Sequence, residues 1–204
     1  MADRVRTSEL KSKFLHLAQT SVFTVKLQPP TAVTSYLREK GFNYSQDGEG
    51  VELRCRGAEL PGSSLQTVDQ FNDFPGVTER MAYRRDFDRL KNVEFYVDDK
   101  YDVVGMFDGW LEYISGQIDN GKSAYRGYRM RYPNSYKTNM TITKFEKGVG
   151  NDKNEEANHS LEYTLINAFP IATFPMPVSY DASSVLVYAV SLEFSRYIME
   201  RKTD

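Results

Sequence analysis

The sequence predicts a mainly β protein in which antiparallel strands are interrupted by one prominent helix. Several short segments alternate apolar and polar residues, which is the period of a half-buried strand. The chain contains 14 Tyr and 12 Phe beside a single Trp, and flat rings pack well on a pleated sheet. One segment has helical periodicity, and a helix of that length between strands would close one side of a barrel or sandwich.

Size and composition indicate one globular domain that spans residues 1–204. A chain of 204 residues with 40% hydrophobic content can bury a core without disulfides or metals. Its net charge of -2 argues against a general polyanion binder. Cys55 is the single cysteine, which excludes an internal disulfide and a Cys-rich metal site, so we expect a buried thiol on a strand.

The ends and apolar runs of the chain give no targeting signal. Residues 1–6 are charged and lack the apolar segment of a signal peptide. No apolar run approaches the ~18 residues that a membrane span needs. We therefore expect a protein of a reducing, soluble compartment without a membrane anchor.

The N-terminal quarter is predicted to contain two strands separated by a long arm. Residues 8–17 carry apolar side chains at helical spacing and predict a short N-terminal helix. Residues 22–27 predict a strand that two prolines end. Residues 28–50 are polar and contain glycines, so an extended loop is expected there. Residues 51–56 alternate again and predict a second strand.

The clearest helix begins near Asp99 or Asp102 and ends at Gly116, with an irregular loop (residues 63–80) and two strands (81–85 and 93–98) predicted before it. Acidic residues suit the start of a helix, and a glycine is a natural C-terminal stop. Apolar residues recur at steps of three and four along it, and the predicted core-facing members are Phe107, Trp110, Leu111 and Ile114.

The C-terminal half is predicted to alternate strands with extended loops. Residues 122–137 are expected to form a long connection and residues 146–160 a polar hairpin. Strands are predicted at 140–145 and 161–168, followed by a break at Phe169-Pro170. Residues 186–194 form the strongest alternating segment and the last predicted strand.

Catalytic and metal-binding patterns are missing from the sequence. His16 and His159 lie in polar surroundings, and none of the usual hydrolase, metalloprotease or nucleotide-loop motifs is present. Asp86 and Asp88 alternate with arginines, which indicates a solvated or subunit-contacting surface. We therefore expect no enzyme activity and no cofactor or metal.

Residues 125–132 interleave arginines with tyrosines and allow two interpretations. Such a segment could pair phosphates and stack bases, which would make the protein a nucleic-acid-binding module. Tyr and Arg are also favoured at protein interfaces, and the overall acidity of the chain favours a loop that contacts a neighbouring subunit. The arginines concerned are Arg126, Arg129 and Arg131.

Four segments in this order resemble the tail tube protein of contractile-tailed bacteriophages. They are the strand and Leu-Pro turn at 53–62, Arg85-Asp86-Phe87-Asp88 before strand 93–98, the helix at 107–116, and residues 163–170 before the last strand. The resemblance covers residues 8–197. The three extended loops look longer than those of compact members, which leaves open a baseplate tube-initiator sibling or the tube protein of an injection system.

The resemblance implies a β-barrel or sandwich with one flanking helix, assembled as hexameric rings that stack into a hollow tail tube. DNA would pass through the lumen without specific binding, and sheath and baseplate proteins would be the further partners. The protein would belong to the virion tail after synthesis in the host bacterial cytoplasm. No cofactor or chemistry is implied.

Two sets of residues are candidates for contacts in such a tube. A neutral or acidic lumen suits DNA that slides, because lysines and arginines would bind its phosphates. The candidate lumen residues are Glu52, Thr141, Thr143, Glu162 and Thr164. The candidate subunit-interface residues are Arg54, Arg56, Arg84, Arg85, Asp86 and Asp88, together with the three arginines of residues 125–132.

Overall fold

The computed structural model describes residues 18–42, 54–70, 76–116, 130–145, 159–181 and 184–203. The mainly β class is confirmed, with two α-helices among these residues, while the predicted helix at 8–17 lies outside them. In chain order the elements are β1 (Phe23–Leu27), α1 (Thr31–Glu39), β2 (Cys55–Gly57), β3 (Ser63–Gln70), β4 (Glu79–Phe87), β5 (Leu90–Tyr96), α2 (Asp102–Ser115), a 3-10 turn (Pro133–Ser135), β6 (Thr138–Phe145), β7 (His159–Thr173), β8 (Val187–Glu193) and β9 (Arg196–Thr203).

Seven of the described strands form one nearly closed antiparallel sheet, in the order β1-β6-β7-β8-β5-β2, with β9 also paired to β7. The long strand β7 divides this sheet into two leaves. Its first part pairs with β6 and β9, and its last residues pair with β8. We call β1, β6, β9 and the first part of β7 the first leaf, and β2, β5, β8 and the end of β7 the second leaf.

The strand β7 turns between the leaves at Asn167. This residue has a φ of 59°, a left-handed conformation that asparagine tolerates better than most residues. Its N–H donates to Asn139 Oδ1 at 3.3 Å, and Ile166 C=O accepts the N–H of Ser195 at 2.9 Å. The predicted break at Phe169-Pro170 is wrong, because β7 continues through both residues. Pro170 is accommodated beside a register shift, where a missing N–H is tolerated.

Helix α2 fills the space inside the sheet and is confirmed between its predicted limits. Asp98 Oδ1 accepts the N–H of Asp102 at 3.2 Å, and Gly116 ends the helix with a φ of 71°. The Tyr188 hydroxyl donates to Asp108 Oδ1 at 2.6 Å and ties the helix to β8.

The buried face of α2 differs in part from the predicted one. Phe107 and Trp110 are fully buried as predicted, and the Phe107 ring lies 5.2 Å from that of Phe95. Leu111 and Ile114 are only half buried. The buried stripe instead runs through Val103, Met106, Phe107, Trp110 and Tyr113, while Leu111 and Ile114 line a groove between the helix and residues 169–171 of β7.

Residues 31–39 form helix α1, so the predicted loop over 28–50 is wrong in this part. Pro30 precedes the helix in an extended conformation, with φ -60° and ψ 152°. Gly41 ends the helix with φ 88°, and the N–H groups of Gly41 and Phe42 donate to Arg38 and Leu37 C=O, which is a Schellman closure. Apolar Val33, Tyr36 and Leu37 are buried.

Helix α1 packs closely on α2 because α2 presents two glycines to it. A side chain at Gly105 would collide with the Phe42 ring, and one at Gly109 would collide with Leu37. These glycines therefore lower helix propensity in exchange for close contact between the helices. The Tyr36 and Tyr113 rings lie 5.6 Å apart across the same contact.

Residues 63–70 form strand β3, so the irregular loop predicted for 63–80 is wrong there. Strand β3 pairs with β4 as a separate two-stranded sheet, which we call the ribbon. The strands predicted at 81–85, 93–98, 140–145 and 186–194 coincide with or overlap β4, β5, β6 and β8. Strand β9 was missed, because Arg196–Thr203 is mostly polar and lacks a clear alternation.

Replacing Trp110 with Ala should lower the free energy of unfolding by ~3–5 kcal/mol, the usual cost of an emptied aromatic core position. The ring is fully buried, and its Nε1 donates to Tyr136 C=O at 3.0 Å. Denaturant unfolding followed by circular dichroism measures the loss. Half-buried Leu111→Ala is the matched control and should cost less. A loss under about 1 kcal/mol for Trp110→Ala would contradict the placement of this ring in the core.

Candidate subunit interfaces

Four of the five candidate lumen residues lie together on one face of the first leaf. Thr141 is opposite Thr164 and Thr143 is opposite Glu162 across β6 and β7. Their neighbours Met140, Ile142 and Leu165 point the other way and are fully buried, as the alternation of strand side chains requires. Glu52 lies outside the described residues.

This face, which we call the threonine face, extends onto both neighbouring strands. Strand β1 places Thr24 opposite Thr143 and Lys26 opposite Thr141. Strand β9 places Ile198 opposite Thr164 and Glu200 opposite Glu162. The polar-apolar alternation of Thr24-Val25-Lys26-Leu27 could have identified Thr24 and Lys26 as further residues of this face. The β9 pair could not be found, because that strand was not predicted.

The threonine face carries two charges of each sign, at Lys26, Glu162, Glu200 and Lys202. Lys202 Nζ lies 2.6 Å from Glu162 Oε2, across the β7–β9 pair. Threonines occupy the centre of the face, on the two inner strands, where Thr141 and Thr164 are half buried and Thr143 is buried. The surface is therefore hydroxyl-rich and carries both signs of charge, and it lacks the basic excess expected of a phosphate-binding surface.

Strands β1 and β9 are the two outer strands of the first leaf, and each pairs on one side only among the described strands. Every neighbouring pair in the leaf is antiparallel, so β1 and β9 run in opposite directions. Unpaired strand edges favour pairing with another chain. Ile198 and Met199 of β9 are both exposed, which adds apolar surface to that edge.

The outer strand of the second leaf, β2, is short and its two candidate interface arginines are engaged within the chain. Arg54 Nη1 lies 2.9 Å from Asp98 Oδ2, and Arg56 Nε lies 3.7 Å from Glu94 Oε2. Short length and charged side chains are common protections of a sheet edge. Burial, with a contribution from the Glu94 carboxylate, raises the pKa of the Cys55 thiol on this strand to about 12.

The base of the ribbon is fixed to β9 by Arg85. Its Nη2 donates to Ser63 Oγ at 2.9 Å, and its guanidinium lies 4.9 Å from the Phe87 ring centre and 5.4 Å from that of Tyr197. A cation over two rings and a hydrogen bond make a firm local contact. Asp88 donates its N–H to Gly62 C=O at 3.1 Å and closes the base.

Beyond its base the ribbon is largely exposed. Arg84 Nε lies 3.2 Å from Asp86 Oδ1 on the same strand, and the Arg84 side chain is 70% exposed. Exposed apolar side chains accompany them, at Leu65, Val68, Met81 and Tyr83. An isolated two-stranded ribbon is marginally stable in water. The predicted interface residues Arg84 and Asp86 therefore lie on an element that contact with another surface would stabilise.

The one described arginine of residues 125–132 packs against its own chain. Arg131 Nε donates to Tyr113 C=O at 3.1 Å, and its guanidinium lies 4.3 Å from the Tyr113 ring centre. Arg126 and Arg129 lie outside the described residues. Arg131 thus anchors the chain to the end of α2.

The phage tail tube protein family matches residues 18–200 of this sequence. The chain belongs to this family. Its members are structural tube proteins, and the match includes every described strand up to Glu200. The search of curated proteins found no match.

Solved structures similar to this tail tube family member come from contractile injection systems. The sheath-tube complex of an extracellular contractile injection system (PVC) contains a chain with a TM-score of 0.55 and 15% identity, covering 97% of this chain and 99% of that one. A chain in the structure of the tube terminating cap of the anti-feeding prophage (AFP) has a TM-score of 0.57 and 13% identity, and the match covers 92% of this chain and 93% of that one. A chain in the structure of the PVC sheath/tube terminator has a TM-score of 0.53 and 14% identity, and the match covers 91% of this chain and 97% of that one. These likenesses show a shared fold.

No helix among the described residues is long and apolar enough to cross a membrane. No cluster of three or more His, Cys, Asp or Glu side chains suited to a metal ion occurs in that part of the chain.

The native Cys55 thiol should react slowly with Ellman's reagent at pH 8. Because its pKa lies near 12, little of it is thiolate at that pH, and thiolate is the reacting form. We expect labelling in denaturant to be about a hundredfold faster or more. Ser64→Cys, on an exposed strand of the ribbon, is the control for an accessible thiol. Fast native labelling of Cys55 itself would show that β2 opens readily.

Proposed function

We propose that this protein is the subunit of an inner tail tube, assembled as hexameric rings that stack into a hollow conduit for DNA. The observation that carries the proposal is the first leaf, which combines a polar threonine face with two outer strands that each pair with one neighbour among the described strands. A sheet of this kind has one face for its own core and one for an aqueous channel. Its outer strands supply the means of joining copies.

Joining the first leaves of successive copies would remove their edges. Strand β9 of one copy would lie beside β1 of the next, and the two would be antiparallel because β1 and β9 run in opposite directions within a leaf. Repeated around a ring, this head-to-tail contact closes on itself. Each copy then gains main-chain hydrogen bonds along β1 and β9 without any change in its fold.

The threonine face would line the lumen. Phosphate binding requires an accumulation of lysine or arginine, and it weakens strongly with salt. On this face Lys202 is paired with Glu162, and the centre carries neutral hydroxyls. DNA could therefore move past the surface without being held, which suits a conduit.

Sheath and baseplate proteins are the proposed further partners. The PVC chain of similar fold comes from a sheath-tube complex, and the AFP chain comes from a structure of the tube terminating cap. These neighbours also support two alternatives, a tube protein of an injection system and a sibling that starts or ends the tube. The nucleic-acid-binding module has less support, because Arg131 is engaged with Tyr113.

Negative-stain microscopy of the purified protein over a range of concentration and salt tests the proposal. We expect long tubes of stacked rings, with six subunits per ring in averaged end views. A tube initiator or terminator should stop at single rings or need a partner. Monodisperse particles under every condition would rule out the tube.

Thr164→Cys tests the position of the threonine face. The variant is biotinylated through its new thiol before assembly, and streptavidin is added to the assembled tubes. Because the label should lie in the lumen, streptavidin should bind only after the tubes are dissociated, as judged by gel shift. The dissociated sample is the matched control. Streptavidin decorating intact tubes along their length would place this face outside.

A further inference from the structure

The charged residues of the threonine face divide into one internal ion pair and two single charges. Lys202 Nζ lies 2.6 Å from Glu162 Oε2 within the chain. Lys26 on β1 and Glu200 on β9 are both exposed, and neither forms an ion pair with another described residue. A positive charge therefore remains on one outer strand of the first leaf and a negative charge on the other.

Glu200 lies at an acidic position of the sheet. It is directly opposite Glu162 across the β7–β9 pair, and like charges that face each other on neighbouring strands destabilise a sheet. Lys202 brings one positive charge to these two carboxylates, so a negative charge is left over. A cation that approached the outer side of β9 would be attracted to it.

The main-chain pattern of β1 favours a contact of Lys26 across its outer side. Val22 C=O accepts the N–H of Phe145 at 3.0 Å, and such bonds recur at every second residue of an antiparallel pair. Lys26, which is opposite Thr141, therefore directs its main-chain groups to β6, while those of Val25 point outward. Across a junction on the outer side, Lys26 would occupy a non-hydrogen-bonded position, where opposite side chains approach most closely.

Alternation and charge together restrict which residue of β9 can lie opposite Lys26. If the polar faces of two copies are to stay continuous, the residue must come from the side of β9 that carries Glu200. Beyond the threonine face, Arg196 lies on that side too. Arg196 and Lys202 would oppose Lys26 with a like charge, and Ile198 offers a charge no partner. Glu200 is the only acid in the described part of β9.

Closure of a ring favours the same alignment. Lys26, Thr141, Thr164 and Ile198 form one row across the four strands of a copy. If Lys26 of the next copy lay opposite Ile198, these rows would join without a stagger, whereas a closed sheet requires one. If it lies opposite Glu200, each copy is shifted by two residues relative to the last.

We propose that Lys26 of one copy forms an ion pair with Glu200 of the next, and that this pair sets the register in which β1 and β9 join. The inference rests on the proposed function, since it concerns the junction between neighbours in a ring. The two residues lie on opposite edges of the first leaf, so the pair forms only between copies. It also leaves no single lysine at the junction to hold the phosphates of DNA.

Disulfide formation between two single variants measures the register. Lys26→Cys protein and Glu200→Cys protein, one of them carrying a mass tag, are mixed, assembled and oxidised. We expect a linked species with the mass of one copy of each, because directly opposite residues of neighbouring strands lie within the reach of a disulfide. Ile198→Cys, two residues along the same face, replaces Glu200→Cys as the matched control and should give little of it. The unaltered protein measures any contribution of Cys55.

Charge reversal tests whether the ion pair sets the register. Lys26→Glu and Glu200→Lys should each raise the concentration needed for assembly about fivefold or more at low salt, because like charges then face each other at every junction. An equal mixture of the two variants should assemble as readily as the parent protein, since they can alternate around a ring of six and place opposite charges at each junction. Lys91→Glu on β5 makes the same charge change outside the first leaf and should alter assembly little. All variants are first shown to retain the circular dichroism of the parent protein.

The outcomes separate this inference from the proposed function. Tubes in which Lys26→Cys links to Ile198→Cys in preference to Glu200→Cys, or reversed variants that assemble no better mixed than alone, would overturn the ion pair while leaving the tube intact. The expected disulfide between copies that never form rings or tubes would uphold the pairing and remove the tube. Absence of both the tubes and the disulfide would overturn both.

Discussion

The whole fold depends on strand β7 belonging to two leaves at once. One continuous strand pairs with β6 and β9 up to Ala168 and with β8 from Phe169 onward. The turn requires a left-handed residue at its centre and a place where Pro170 can lie without a ladder hydrogen bond. Because the leaves are joined through this backbone, the inner faces of both enclose one core, into which α2 inserts Phe107 and Trp110.

The core in turn determines which surfaces remain for assembly. Residues Met140, Ile142 and Leu165 are fully buried, so Thr141 and Thr143 lie on the opposite face of the sheet, where Thr141 is half buried and Thr143 is only 8% exposed. The buried side of helix α2 packs against the inside of the sheet, and its Leu111 side lines the groove beside the end of β7. Helix α1 reaches α2 only because Gly105 and Gly109 leave room for Phe42 and Leu37. A single packing arrangement therefore positions the threonine face and the groove together.

Periodicity predicted the elements whose two faces differ most in burial. Helix α2 and strands β6 and β8 show such contrast, and Thr141, Thr143, Glu162 and Thr164 were placed on one polar face from alternation alone. Strand β3 of the ribbon was missed, although its partner β4 was predicted in part, because both faces of β3 are largely exposed and it carries no apolar alternation. Helix α1 was missed because Pro29-Pro30 and Gly41 indicate a loop as readily as a helix start and stop. Pairings between distant strands, including β7 with β9, have no local signal.

The ribbon also gives the isolated subunit an uneven resistance to opening. Its strands are held to the body at their base through Arg85, Phe87 and Tyr197, and few buried contacts protect the rest. Local opening costs least where buried contacts are few, so a protease should cut a free subunit there before it cuts the leaves.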